Sequence, residues 1–253
     1  MITPSVRGRG KNRLWIAGFD AWVVSRWVLR GWVPTVCGSP DSVVRWSVAR
    51  YGSLCWRPEA CFEGFETMEG EIVGWKRLFA QKSMDHRGTP QFPGLVATVI
   101  ADAELEALGL RSADEPLSRT HGVAYRVPDD KVEAVLSDLD FREKGGYTRA
   151  VVDVFPPVGT IPPIKALLYT ASTDNPNFFM TETMDEAAAI IAATVGPSGP
   201  NYEYLFSLAS FLQQVGRPDD YITELTELVR ARMDAANRRP EASVGVGQRE
   251  SAL

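Results

Sequence analysis

Apolar positions along this chain of 253 residues change their period several times, and each change marks an element. Over Asp130–Leu139, residues Val132, Val135, Leu136 and Leu139 recur at the i, i+3, i+4, i+7 spacing of an amphipathic helix, with Asp129 or Asp130 placed to cap it. From Tyr147 to Phe155 the pattern becomes short and β-branched, as in Ala150-Val151-Val152-Asp153-Val154, which predicts a strand. Gly145-Gly146 lies between, a pair that ends helices and lets another backbone approach closely. Far upstream, Val44-Arg45-Trp46-Ser47-Val48 alternates with period two and predicts a strand running into the small-residue loop Tyr51-Gly52-Ser53-Leu54.

The remaining pattern places strands early and helices late. Gly70 to Phe79 reads as one strand, Gln81 to Gly94 as an irregular loop, and Leu95 to Ala101 as a short buried strand. Asp102 to Ser118 is acidic and helical at best. Thr120 to Val127 and Ile164 to Ser172 supply further strands. Thr183, followed by Glu186 three residues on, is a capping box that opens a helix through Ile191, with Gly196 and Pro197 as its stop. Two more helices follow, about 202–215 and 220–237, separated by Gly216 and Pro218. No segment repeats. This order predicts an α+β fold rather than alternating β/α units.

Two stretches carry candidate chemistry. Glu143 continues the face of Val132, Leu136 and Leu139, which looks into the fold. An inward carboxylate is costly unless it is paired or its raised pKa has a use. An ion pair with Arg142, Lys144 or Arg149 is one reading, and a general base is the other. Gly52-Ser53, straight after a strand, exposes backbone N–H groups that can cradle a carboxylate or an oxyanion, or can simply make a turn.

Taken together, Tyr51-Gly52-Ser53-Leu54 and Leu139-Asp140-Phe141-Arg142-Glu143-Lys144-Gly145-Gly146-Tyr147 resemble the ChaC-like γ-glutamylcyclotransferases. Three more stretches in the same order support the resemblance: Asp85-His86-Arg87-Gly88-Thr89-Pro90 with Pro93-Gly94, Gly122-Val123-Ala124-Tyr125-Arg126, and Gly196-Pro197-Ser198-Gly199-Pro200-Asn201 with Glu203-Tyr204-Leu205-Phe206. The resemblance covers roughly Tyr51 to Met233. Relative to the family, Asp102 to Ser118 looks like a surface insertion. The implied fold is a small, mostly antiparallel β-barrel flanked by helices. The implied reaction is attack of the substrate's own α-amine on its γ-glutamyl carbonyl, with glutathione as the implied substrate and no cofactor. A tethered nucleophile makes a Ser or Cys nucleophile unnecessary. One partly desolvated carboxylate can shuttle the proton, and the resemblance gives that role to Glu143. It implies that the backbone of Gly52, Ser53 and Leu54 holds the glutamyl carboxylate or the oxyanion, that Tyr51 lines the pocket, and that Tyr147 either contacts substrate or packs. The competing class is a non-catalytic relative that binds γ-glutamyl compounds or amines; a nearer alternative is a cyclotransferase for other γ-glutamyl amines or dipeptides.

His86 in its Pro/Gly-rich loop reads as a loop-holding residue, His121 as structural and Cys55 as a small core residue. Arg87 could face an anionic substrate or pair with Asp85. Where the family carries Phe-Gly ahead of Tyr-Gly-Ser-Leu, this chain has Ala49-Arg50. Arg50 would bring a cation to a pocket that must receive the substrate's ammonium group.

Charge narrows the classes. The net charge of -5 hides an asymmetry, since residues 1–50 hold eight Lys and Arg against two acids and the rest hold 19 against 30. An acidic body argues against a nucleic-acid partner. Cys37, Cys55 and Cys61 lack metal-ligand spacing, and an odd number fits reduced thiols in the cytoplasm. No apolar run is long enough to span a bilayer. Expected, then, is a cytoplasmic monomer acting on a small molecule, with one domain over residues 42–236 and a disordered tail over 237–253. Residues 1–41 combine early basic residues with four Trp. They read as a targeting segment, a membrane-surface helix or translated non-coding sequence; the abrupt end of the resemblance at Tyr51 favours the last. The domain is expected to fold without them.

Overall fold

The chain alternates short strands and turns before its helices. In order, the elements are β1 (Ser47–Arg50), β2 (Thr67–Val73), β3 (Trp75–Ser83), β4 (Gly94–Ala101), α1 (Asp102–Ala107), β5 (Arg119–Arg126), α2 (Val132–Arg142), β6 (Tyr147–Phe155), β7 (Ile164–Ala171), α3 (Met184–Ala193), β8 (Val195–Gly196), β9 (Gly199–Pro200), α4 (Asn201–Gln214) and α5 (Asp220–Asn237). This computed structural model describes residues 47–58, 60–142, 147–157 and 161–238, all within the unit Val44–Leu253. Residues 1–41 and the tail beyond 238 lie outside the described residues, although α5 carries regular structure through Asn237.

Five strands close into a barrel in the order β1-β5-β2-β6-β7. Every pairing is antiparallel except the closing one, where Val48 and Ala49 of β1 run parallel to Leu167 and Leu168 of β7. The expected α+β architecture, a small and mostly antiparallel barrel with helices beside it, is what forms. Alternation along the strands sends one set of side chains, including Ala49, Ile72, Val152, Val154 and Leu168, into one buried cluster. The opposite set, including Val48, Val123, Tyr125 and Tyr169, meets Val135 and Leu139 of α2. The remaining ribbon, β3 with β4, lays Phe79, Leu95 and Ala97 against α3, α4 and α5 in a third cluster.

Several boundaries differ from the sequence pattern for local reasons. The single strand expected over Gly70–Phe79 is two, because Gly74 takes a φ of +82° that side-chain-bearing residues resist. There the chain leaves the barrel for the ribbon. Ahead of α2 a 3-10 turn, Asp129–Lys131, leads in, itself preceded by Pro128 as its N-cap with no side-chain cap bond. Asp129 and Asp130 still lie at the positive end of the helix. The capping box of α3 is present, with Thr183 accepting from the Glu186 N–H at 3.2 Å. The Glu186 carboxylate reaches the N–H of Glu182 rather than that of Thr183. The helix stops at Ala193, before the expected Gly-Pro, where the Thr194 hydroxyl donates to the Ile190 carbonyl. Asp102–Ser118 is closed around the buried Arg111, which ion-pairs with Asp102 and Glu106 and donates to the carbonyls of Ser112, Glu115 and Pro116.

The ribbon and the helices are tied by Asn201, which is fully buried at the start of α4. Its Oδ1 accepts from the Leu95 N–H and its Nδ2 donates to the Leu95 carbonyl, each at 2.7 Å. Beside it, three glycines, Gly88 in the loop before β4, Gly94 at the start of β4 and Gly196 in β8, pack backbone to backbone. A Cβ on Gly88 would stand 2.1 Å from the Gly94 nitrogen, and one on Gly196 would stand 2.2 Å from the His86 carbonyl oxygen. Asn201→Ala leaves both Leu95 groups buried without partners, at about 1–3 kcal/mol each. We expect a loss of roughly 2–4 kcal/mol, read from urea midpoints; a loss below about 1 kcal/mol would show that the tie is dispensable.

Candidate active site

The loop after β1 is held through its carbonyls. Ser53–Cys55 is a 3-10 turn in which the N–H groups of Cys55 and Trp56 donate to Gly52 and Ser53 at 2.9 and 3.2 Å. Tyr125 donates to the Leu54 carbonyl at 2.6 Å, and the Cys55 thiol donates to the Arg50 carbonyl at 3.3 Å. Gly122 makes room for the entry, since a Cβ there would stand 2.1 Å from the Arg50 carbonyl oxygen. Leu54 and Cys55 turn their side chains into the core. Burial pushes the Cys55 thiol up to about 11, which suits a core residue and not a nucleophile. Tyr51 is buried and its hydroxyl donates to the Tyr169 carbonyl at 2.7 Å. It also lines the small cavity inside the barrel, with Ala49, Ile72 and Leu168.

Tyr169 joins this loop to the end of α2. Its hydroxyl donates to Asp140 at 2.9 Å, and Asp140 ion-pairs with Arg149 of β6. Burial first, then the Asp140 hydrogen bond, pushes the Tyr169 phenol well above its ordinary value. Tyr147, the first residue of β6, pairs with Ala171 and packs against the cluster that holds Leu54 and Tyr169. Tyr51, Leu54 and Tyr147 are therefore brought to the surroundings of one residue, Tyr169. Glu143, Lys144, Gly145 and Gly146 lie outside the described residues; Asp140 and Tyr147 on either side of them belong to this same group. Arg149, one partner considered for Glu143, is paired with Asp140.

Arg50 is 6% exposed, with its guanidinium 5.8 Å from the Phe62 ring centroid and 5.3 Å from that of Tyr169. The cation expected from the sequence is thus on the face shared by Tyr169 and Tyr125.

The other candidates have structural surroundings. His86 stands 3.3 Å from the Ser198 hydroxyl and its carbonyl accepts from the Ser198 N–H, so it holds the loop as expected. Arg87 turns from Asp85 to α4: it donates to the Pro200 carbonyl at 2.9 Å and lies 3.6 Å from Glu203. Asp140 lies in a stretch that carried the resemblance, but neither it nor Tyr169 stood out as a site residue, because a Tyr in a strand and an Asp on a helix have ordinary places there. Tyr204, in a stretch that carried the resemblance, stands against Gly52; its part was invisible without the fold. Among the described residues, no three His, Cys, Asp or Glu side chains gather as metal ligands.

The family model described as ChaC-like protein matches residues 45–232. The chain belongs to the ChaC-like family. It is 37% identical over 171 residues to the glutathione-specific γ-glutamylcyclotransferase 1 of Danio rerio, covering 67% of this chain and 79% of that one. It is 34% identical over 221 residues to the glutathione-specific enzyme of Saccharomyces cerevisiae, covering 72% and 94%. The crystal structure of a glutathione-specific γ-glutamyl cyclotransferase from yeast superposes with a TM-score of 0.63 at 32% identity, covering 75% of this chain and 99% of that one.

His121, next to Gly122, is buried with neither ring nitrogen hydrogen-bonded among the described residues; Nε2 lies 3.7 Å from the Glu69 carboxylate. Burial lowers its pKa, helped by Arg217 and Arg77 and opposed by Glu69 and Glu71. The unfolded chain therefore takes up the proton first as pH falls. This contribution to stability is full above the unfolded value of about 6.5 and is lost as pH drops toward the lower folded value. We expect His121→Gln to flatten the fall in urea midpoint between pH 7.5 and 5.5; an unchanged slope would assign the acid sensitivity elsewhere.

Proposed function

We propose that this chain cleaves glutathione by intramolecular attack of the glutamyl α-amine on the γ-carbonyl, releasing 5-oxoproline and Cys-Gly. The observation that carries this reading is the identity above 30% with glutathione-specific relatives across two thirds or more of the chain, in a shared fold. The C–N bond to the new ring forms as the C–N bond to cysteine breaks. One proton leaves the amine and one returns to the departing nitrogen, so a single carboxylate can serve both steps. That carboxylate is Glu143. Its support is its place in the Leu139–Tyr147 stretch, whose described ends, Asp140 and Tyr147, meet Tyr169 and the cluster around it. Folding the γ-glutamyl chain back on itself supplies the proximity term. N–H groups of the Gly52–Leu54 turn are the donors for the glutamyl carboxylate or the oxyanion, with Tyr51 and Tyr147 at the wall. The reading requires no cofactor. It places the protein in the cytosol as a monomer; among the described residues, no helix is long and apolar enough to cross a membrane.

Glu143→Gln keeps shape and hydrogen bonding but cannot carry a proton. We expect turnover to fall by on the order of 10²–10⁴ with the melting temperature unchanged. Glutathione cleavage near the wild-type rate would remove Glu143 from this role.

Arg50 is the feature that favours a second reading, a binding relative with weak activity, because it sets a positive charge where the substrate's ammonium must arrive. We expect Arg50→Gly to raise kcat/KM for glutathione about fivefold, matching roughly 1 kcal/mol of like-charge repulsion at the effective dielectric of a partly buried site. It should also lower the melting temperature, since two cation–π contacts are lost. An unchanged or lower kcat/KM would mean that Arg50 serves the substrate.

A further inference from the structure

Two directly opposed strand residues converge on one helix carboxylate. In the pairing of β6 with β7, Arg149 stands opposite Tyr169, so the two side chains share one face of the barrel wall. The Tyr169 hydroxyl donates to Asp140 Oδ1 at 2.9 Å, and the Arg149 guanidinium ion-pairs with Asp140 Oδ2. That guanidinium also lies 5.5 Å from the Tyr169 ring centroid. Each oxygen of the carboxylate thus has its own charged or polar donor, and the two donors brace one another.

Elsewhere α2 meets the barrel through apolar side chains. Val135 and Leu139 are buried in the cluster that holds Val48, Val123 and Tyr125. Beneath the first half of the helix a small apolar cavity remains, lined by Val48, Val127, Val132, Val135, Leu136 and Leu167. Apolar contact is non-directional, and side chains around a void lack neighbours on one side. Such contacts hold the helix down without setting its rotation or its height. The clamp on Asp140 supplies that direction at the other end. Asp140 is half-exposed, where an ion pair adds little to stability, so the effect of the clamp is on position.

We infer that Tyr169, Asp140 and Arg149 are positioning residues for the reaction: together they set the height and rotation of the last turn of α2, whose final residue, Arg142, directly precedes Glu143. The inference rests on the reading that Glu143 carries the proton, and adds which groups of the barrel aim the turn that leads to it.

The test measures kcat and KM for glutathione in Tyr169→Phe, Asp140→Ala, their double variant, Asp140→Asn and Glu143→Gln, well below every melting temperature. Tyr169→Phe is a narrow cut. It keeps the ring in its cluster and the backbone carbonyl that accepts from Tyr51, and loses the bond to Asp140. We expect it to lower kcat about tenfold, short of the roughly hundredfold cost of a 1 Å misplacement, with KM changed by less than about twofold. Alanine suits a half-exposed helix site, so Asp140→Ala should fold and lose at least as much kcat. The double variant should be no worse than Asp140→Ala, because the hydroxyl then has nothing left to hold. Asp140→Asn keeps an acceptor for the hydroxyl and should fall between wild type and Asp140→Ala. A merely structural group would lower the melting temperature and leave kcat intact. That outcome, or single losses that multiply in the double variant, would overturn the inference. Turnover that survives Glu143→Gln would instead overturn the reading of the site on which it rests.

Discussion

Closure of the barrel by two short, parallel strands is the constraint on which the site depends. Among the described residues, β1 offers β7 Val48 and Ala49 as partners, paired with Leu167 and Leu168. Parallel pairing is slightly weaker per residue than antiparallel pairing, and these segments lie far apart in the chain. The Tyr51 hydroxyl extends the seam past the last strand residue by reaching the Tyr169 carbonyl across a separation of 118 residues. Everything placed around the site follows from that seam. Tyr169 carries Asp140 on its hydroxyl, Asp140 carries Arg149, and the end of α2 is thereby brought to the side of the barrel where the loop after β1 begins.

A second body of structure stands behind the loop. The ribbon of β3 and β4 and the helices α3, α4 and α5 share a core, and the buried Asn201 locks their relative height through Leu95. The glycines of the loops before β4 and after α3 exist to let backbones touch, as the contacts of Gly88 and Gly196 show. Their stretches resemble the family for a structural reason. Thr170 and Ala171 of β7 bond to Val99 and Thr98 of β4, tying ribbon to barrel.

Charge is distributed unevenly around the loop. The Arg50 guanidinium lies over two aromatic rings, and Arg77 is buried with its guanidinium on the His121 carbonyl and on Asp219. Buried cations disfavour a further positive charge and favour a neutral amine or an anion. For a reaction whose nucleophile is an amine that must first lose its proton, that bias helps the chemical step while opposing the arrival of the protonated substrate. The balance between the two sets the pH range over which such a site works.

Sequence alone determined the class of the fold, because period two and period 3.6 are properties of local geometry. The strand over Tyr147–Phe155 and the helices near 202–215 and 220–237 were legible to within a residue or so, since long periodic segments bounded by Gly, Pro or caps are their own evidence. The loop Tyr51–Leu54 and the Glu143 stretch were legible as motifs only through their resemblance to the ChaC-like family. Tertiary structure decided what no window of sequence contains. Gly74 splits a continuous apolar run because its φ is positive only where the chain must leave the barrel. Arg87 chose Pro200 and Glu203 over its neighbour Asp85 because the loop before β4 folds back on the start of α4. Tyr169 and Asp140 acquire their parts only when strands and helices distant in the chain are packed within hydrogen-bond range of one another, and that proximity is a product of closure and burial rather than of spacing.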